Sequence, residues 1–188
     1  SEHMFAMMWA LMKNLHVYAG NQANADWTDA GRALSPSGMT ALVIGTGDIG
    51  SHFARLCKSV GMETIGVRRN PSVEAEGIDH TIGFESLEQA LPYADVVSMS
   101  VPSTPATHHL LNADRLALLK PEALVLNAGR GDAIDSEALA AALAGNELRG
   151  AGLDVTEPEP LPADSPLWHE PRCLITCLLY TSPSPRDS

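Results

Sequence analysis

Apolar residues fall into two regimes along the chain. Over residues 1 to about 20, Phe5, Met8, Met12 and Leu15, flanked by Trp9 and Leu11, recur at helical spacing and predict one long amphipathic helix. Asn21 to Gly38 is polar, carries Pro36 and Gly38, and reads as a linker in which the lone Trp27 is a packing anchor. From residue 41 short apolar runs bounded by glycine alternate with helical patterns: strand Ala41 to Gly45, helix 49–60, strand Glu63 to Val67. Phe53, Leu56 and Val60 are the predicted buried stripe of that helix, and Gly61 stands where a left-handed C-terminal cap belongs. Further units follow: strand Asp95 to Ser100, helix Asn112 to Leu119, strand Ala123 to Asn127, helix Ser136 to Ala144, strand Gly150 to Val155. Asp135 is placed to cap the Ser136 helix and Gly145 to end it.

Strands that are apolar along their whole length have no wet face, so helices must cover both sides of the sheet they form. The expected fold is therefore α/β, a Rossmann-type doubly wound parallel sheet with helices on both faces, preceded by a long connecting helix. The expected layout is a connecting helix and linker over 1–37, the dinucleotide-binding domain over 38–176, and a separate tail over 177–188.

Composition narrows the partners. The chain has 188 residues, 45% hydrophobic and 19% charged, enough for one sizeable core. A net charge of -11 with only 12 Lys and Arg excludes nucleic acid as the expected partner, because that binding draws on cations that neutralise phosphates. The apolar run Met4 to Met12 stops at Lys13, short of the roughly 20 residues that span a bilayer, so no membrane anchor is predicted. The opening Ser1-Glu2-His3 lacks a starting Met and a cationic head, which predicts no signal peptide and a chain entered partway. Cys57, Cys173 and Cys177 show no Cys-x-x-Cys spacing, so neither a disulfide framework, a zinc site nor any other metal is expected, and the cytoplasm is the expected compartment.

Gly45-Thr46-Gly47-Asp48-Ile49-Gly50 matches G-x-G-x-x-G between an apolar strand and an amphipathic helix. In that context the first glycine permits a tight turn, the second lets backbone approach a pyrophosphate, and the third lets helix pack on strand. The helix N-terminus then offers free N–H groups to the phosphates. An acidic ribose ligand is usual about 20 residues on, yet here the second strand ends Val67-Arg68-Arg69-Asn70. Guanidinium groups at Arg68 and Arg69 suit a 2′-phosphate, which favours NADP(H) while leaving NAD(H) possible.

Leu126-Asn127-Ala128-Gly129-Arg130-Gly131 sets an arginine just after an apolar strand, and Gly150-Ala151-Gly152-Leu153-Asp154-Val155-Thr156-Glu157-Pro158-Glu159-Pro160-Leu161-Pro162 ends another strand with carboxylates. With Pro166-Leu167-Trp168, Val101-Pro102-Ser103-Thr104-Pro105-Ala106-Thr107 and the opening Glu2-His3 helix, these segments resemble the D-isomer-specific 2-hydroxyacid dehydrogenases over about residues 1 to 176. The resemblance implies hydride transfer between NAD(P)H and a small 2-keto acid or D-2-hydroxy acid, in a homodimeric enzyme. It implies that Arg130 pairs with the substrate carboxylate and polarises the neighbouring carbonyl. It implies that Glu159, selected over Glu157 by the E-P-L-P register, orients a catalytic histidine. Asp154 matches an aspartate near the nicotinamide carboxamide, and Val101, Pro102, Thr107, Ala128 and Gly129 match cofactor-lining positions. For Thr107 a plain turn hydroxyl is the rival reading.

The family continues its last strand with Pro-His, whereas here Leu174-Ile175-Thr176 runs into Cys177-Leu178. His108, His109 and His169 are out of register and are expected to play surface or helix-end roles. The stretch from Cys177 to Asp187 resembles no dehydrogenase and reads as the translated end of a transposon-based sequencing adapter, so it is expected to be non-native. A chain without the histidine and without the family's substrate domain is expected to be inactive alone. The alternative is a dinucleotide-sensing corepressor-like protein. A short-chain dehydrogenase is excluded, because Tyr18, Tyr93 and Tyr180 are followed four residues on by Gln22, Val97 and Ser184 rather than lysine.

Overall fold

A computed structural model describes residues 1–177, so the expected foreign tail lies, apart from Cys177, outside the described residues. Among the described residues seven strands form one parallel sheet: β1 (Thr40–Ile44), β2 (Glu63–Val67), β3 (His80–Ile82), β4 (Val96–Met99), β5 (Leu124–Asn127), β6 (Gly150–Leu153) and β7 (Cys173–Ile175). Their order across the sheet is β3-β2-β1-β4-β5-β6-β7. The chain thus winds outward from β1 in one direction, then returns to β4 and winds outward in the other. That reversal between β1 and β4 is where open α/β sheets bind ligands. The expected doubly wound fold is the one observed; β3 was not anticipated from the pattern.

Both faces of the central strands are dry. Leu42, Ile44, Val97, Met99 and Val125 join Leu139 and Leu143 in one core, while Ala41, Val43, Val96, Leu124 and Leu126 join the other. The second core is closed by α1 (Glu2–Met12) and α3 (Asp48–Ser59). Met4, Met8 and Met12 have no exposed surface, and Met7 and Leu11 are 2% exposed. Each such side chain contributes roughly 1.5–3 kcal/mol on burial. A Cβ at Gly152 of β6 would sit 3.1 Å from Met7 Cβ, so the missing side chain lets α1 lie directly on the sheet.

Several expectations are corrected. The first helix is two, because Asn14 adopts a left-handed φ of 55° between α1 and α2 (Leu15–Ala23). The linker folds back to hold this break: Leu34 N–H donates to Met12 O at 2.8 Å, and Asn14 Nδ2 donates to Ala30 O at 3.0 Å. Leu15 therefore leaves the stripe and is 54% exposed. Met8 and Met12 are covered by the chain's own sheet. Trp27 is not a packing anchor, being fully exposed at 103%. In α3 the buried set is Phe53, Ala54 and Cys57, with Leu56 and Val60 half-buried.

After the short α4 (Leu87–Ala90), the expected helix from Asn112 to Leu119 is a single turn, α5 (Ala113–Leu116), capped by the Asn112 side chain. In α6 (Ser136–Ala144), Asp135 caps as expected, accepting from the Glu137 and Ala138 N–H groups. Gly145 ends that helix with a φ of -74°, and the left-handed residue is Asn146 instead. Gly61 does take the left-handed conformation. Among the described residues no helix is long and apolar enough to cross a membrane.

Candidate active site

The glycine turn and the loop after β4 face each other across the switch point. Ser100 Oγ donates to Gly45 O at 2.8 Å and Ser100 N–H donates to Ile44 O at 3.0 Å, tying the two strand ends together. Gly45 has a φ of 92°, and a Cβ there would meet Ser100 O at 2.7 Å. A Cβ on Gly50, in the first turn of α3, would fall 1.9 Å from Gly45 O. Gly47 is different: a Cβ there meets nothing within 4 Å. Gly45 and Gly50 are small because protein surrounds them, whereas Gly47 is small where the surface is open. Beside it Thr46 Oγ1 is buried without a hydrogen-bond partner. An open backbone cradle at a helix N-terminus, with an orphaned hydroxyl next to it, fits a dinucleotide pyrophosphate. Asp48 and Ile49 are both exposed on the rim of this cradle.

Gly45 N–H donates to Val67 O at 3.0 Å, so the end of β2 is brought against the cradle. Arg68, next in sequence, is half-buried and donates from Nη1 to Val73 O at 3.0 Å, closing its own loop. Arg69 is exposed. Of the pair expected to face a ribose phosphate, one is therefore already engaged with backbone carbonyls.

On the other flank, Val101 is buried and Pro102 exposed. Thr107 is 6% exposed, and its hydroxyl donates to Pro102 O at 2.6 Å while accepting from Thr104 N–H at 2.9 Å. These two bonds hold the loop after β4 in shape. Gly129 packs on that loop, where a Cβ would stand 3.0 Å from the Ser100 Cα, and Ala128 is half-buried beside it.

Arg130 sits just beyond β5 and is exposed, with Nη1 donating to Gly129 O at 2.8 Å. Its loop is shaped by Asn127, a buried residue to which the sequence reading gave no role. Asn127 Oδ1 accepts from Gly129 N–H at 3.0 Å and its Nδ2 donates to Arg130 O at 2.9 Å. Only its place in the Asn-x-x-Arg-Gly motif signalled it. Gly131 presses so closely on the next loop that a Cβ would lie 1.9 Å from Thr156 O. The arginine loop and the carboxylate loop are thereby packed backbone to backbone.

Beyond β6, Glu159 is exposed and lines a cleft of about 260 Å³ with Asp154, Thr156, Trp168, Thr176 and Cys177. Arg130 is not among the cleft's lining residues. Asp154 is 5% exposed; it accepts from Thr176 Oγ1 at 2.6 Å, and His3 Nε2 lies 3.4 Å from it. His3 Nε2 is also 2.7 Å from Thr176 Oγ1, so α1, β6 and β7 meet at this carboxylate. Glu157, the rival to Glu159, is turned away to His109, with Nε2 and Oε2 at 2.9 Å. Sequence spacing did not reveal either the His3 or the His109 contact, because each joins residues distant along the chain.

A doubly wound sheet with a glycine cradle at its switch point defines a dinucleotide-binding α/β domain. The family described as D-isomer specific 2-hydroxyacid dehydrogenase, NAD binding domain, matches residues 5–178, and the chain belongs to that family. A glyoxylate reductase of Pyrococcus furiosus is 34% identical over 170 residues, covering 85% of this chain and 50% of the relative. A crystal structure of a D-isomer specific 2-hydroxyacid dehydrogenase family protein from Aeromonas salmonicida superposes with a TM-score of 0.85 at 40% identity, covering 94% of this chain and 56% of that one. A probable 2-hydroxyacid dehydrogenase from Rhizobium etli, solved in complex with NADP, gives a TM-score of 0.84 at 27% identity over 93% of this chain and 56% of that one. The chain spans about half the length of the relatives it matches.

Proposed function

We propose that the protein carries out NAD(P)-dependent reduction of a small 2-keto acid to a D-2-hydroxy acid, with NADP(H) favoured. The observation that carries this reading is the placing of Arg130 and Glu159 beyond the carboxyl ends of neighbouring strands β5 and β6, at the same edge of the parallel sheet as the Gly45–Gly50 cradle. Gly45, Gly47, Asp48, Ile49 and Gly50 hold the pyrophosphate, Arg68 and Arg69 the ribose phosphate, and Val101, Pro102, Thr107, Ala128, Gly129 and Asp154 the nicotinamide end. A bound nicotinamide dinucleotide supplies the hydride. Arg130, a planar permanent cation, holds the substrate carboxylate and stabilises negative charge growing on the carbonyl oxygen.

A proton must also reach that oxygen. Arg130 cannot give one, because guanidinium does not deprotonate at accessible pH. The family resemblance gives Glu159 the task of orienting a histidine rather than of supplying the proton. Cys177, which stands where the family resemblance calls for Pro-His, lines the same cleft as Glu159. Loss of general acid help is typically worth about 10²–10⁴-fold in rate. The 188-residue chain is therefore proposed to bind dinucleotide yet to reduce glyoxylate or hydroxypyruvate negligibly. Residues 1–37 are proposed to act as connecting helices and linker, 38–176 as the dinucleotide-binding domain, and 177–188 as a non-native tail. The working protein is proposed to be cytoplasmic, and to be a homodimer, the latter supported by the exposed Trp27, Tyr18 and Leu15 on and after α2.

The experiment is NADPH oxidation with glyoxylate and hydroxypyruvate. It compares this chain with a full-length gene whose last strand ends in Pro-His. Turnover by the longer protein and none by the chain is expected. Robust turnover by the 188-residue chain would overturn both the histidine assignment and the reading of its tail.

A further inference from the structure

The loop after β4 and the loop after β6 meet through His109 and Glu157, outside the lining of the Glu159 cleft. His108 and His109 stack with ring centroids 4.0 Å apart and planes at 21°. Their Nε2 atoms share one carboxylate: His109 Nε2 is 2.9 Å from Glu157 Oε2, and His108 Nε2 is 3.8 Å from Glu157 Oε1. One ligand atom from each of the three residues lies within 4.8 Å of the others. Nitrogen and oxygen atoms about 2.0–2.2 Å from a zinc ion are about 3.3–3.6 Å from one another in a tetrahedral shell. The two observed nitrogen–oxygen separations bracket that edge.

The backbone beneath is held in an unusual state. His109 has a φ of 45°, a left-handed conformation that a residue with a Cβ adopts at a cost in free energy. It is fixed there by its N–H donating to Asp132 O at 2.7 Å. Glu157 is anchored as well, its carbonyl accepting from Ser136 Oγ at 3.0 Å. Behind the ring, Asp135 uses Oδ1 to cap α6, and its Oδ2 lies 3.9 Å from His109 Nδ1. At that separation Asp135 is an electrostatic neighbour of the ring and not a hydrogen-bond partner, and the Nε2 edge is the one turned to Glu157. An exposed histidine–carboxylate pair contributes little by itself and does not explain why a strained residue presents the ring.

We propose that His108, His109 and Glu157 form a site for a divalent transition metal of the zinc type, with two imidazole nitrogens and one carboxylate as protein ligands and water completing the shell. The donor set is that of an open three-ligand site. A cation there replaces the His109–Glu157 hydrogen bond with metal–ligand bonds to both residues. It also ties the loop bearing Thr107 to the loop bearing Glu159. The sequence pattern pointed to no metal, because the two histidines are adjacent and the carboxylate comes 48 residues after His109.

The test is titration of the 188-residue chain with Co²⁺ and Zn²⁺. A Cys177→Ser background is used so that the exposed thiol does not compete for metal. One equivalent of Co²⁺ is expected to give a visible ligand-field band that Zn²⁺ abolishes. His108→Ala, Glu157→Gln and His109→Asn, the last chosen because asparagine tolerates the left-handed backbone, should each weaken binding at least tenfold. Circular dichroism and melting temperature establish that each variant is folded. Glu157→Gln keeps the side chain's size and stays interpretable whatever the histidine changes do to the loop. No stoichiometric uptake by the background protein overturns the site, as does unchanged affinity in folded Glu157→Gln and His108→Ala proteins.

Discussion

Gly47 and Gly50 stand three residues apart in one turn, yet alanine should act on them in opposite ways. At Gly50 the new Cβ would lie 1.9 Å from Gly45 O and 3.0 Å from both the Gly45 carbonyl carbon and Ser100 Oγ. The first two are backbone atoms, so no rotamer change relieves the clash, and α3 must move away from β1. Overpacking of a tight site costs about 1–3 kcal/mol, and a backbone clash belongs at the upper end. At about 2–4 °C per kcal/mol for a chain of this size, Gly50→Ala should melt about 6–12 °C below the wild type. At Gly47 the backbone is at φ -77° and ψ -164°, open to any residue, and the Cβ meets nothing within 4 Å. Alanine there gains about 0.4–1 kcal/mol by restricting the unfolded chain and loses a similar amount as a poorer N-cap. Stability should stay within about 1 kcal/mol of the wild type, a shift of at most about 4 °C. A methyl group where a pyrophosphate approaches should instead weaken binding at least tenfold, about 1.4 kcal/mol. Thermal melts and NADPH fluorescence titrations of both variants separate the two effects. Wild-type affinity in Gly47→Ala, or a wild-type melting temperature in Gly50→Ala, would refute the division of roles.

Three further outcomes are expected. Arg69→Glu should cost NADPH affinity more than NADH affinity, whereas Arg68→Ala should also loosen the Asn70–Glu74 loop it closes through Val73 O; an unchanged ratio of the two affinities in both variants would make these arginines mere surface charges. The Asp79 carboxyl is held below its usual range chiefly by the hydrogen bond from Lys58 Nζ at 2.5 Å, with the Thr64 N–H and hydroxyl adding to it. Its contribution is complete above the unfolded-state value of about 3.9 and is lost as pH falls through the lower folded value, so Asp79→Asn should be less stable than the wild type at neutral pH, with the gap closing below about pH 4 in urea titrations. Burial pushes the Cys57 and Cys173 thiols up to about 12, and Cys177 is exposed. A thiol reagent at pH 8 should therefore label one cysteine fast in the folded chain and three after unfolding, and fast labelling of a second would contradict the packing around β7 or α3.

Much of the fold was legible because its signals are local. Runs such as Ala41–Ile44 and Leu124–Leu126 are apolar at every position, which only a sheet covered on both faces accommodates. Gly45, Gly47 and Gly50 fall at a spacing that has a separate steric reason at each place. Asp135 caps α6 through bonds that reach two and three residues along the chain. What the pattern misjudged depended on distant partners. The helical period runs unbroken through Leu15, and only the linker's hold on Met12 and Asn14 decides that the helix stops there. Trp27 has the composition of an anchor, and tertiary structure leaves it in solvent. Periodicity could say that Met8 and Met12 share an apolar face; only the layering of α1 on β6, through Gly152, decides that the same chain covers it. The site divides in the same way. The motifs named Arg130, Glu159 and the cradle, because each lies at the end of its own strand. The pairing of Glu157 with His109 and of Asp154 with His3 and Thr176 arises where loops from different strands converge. Spacing along a chain carries no record of that convergence, since the sheet order sets which strand ends become neighbours.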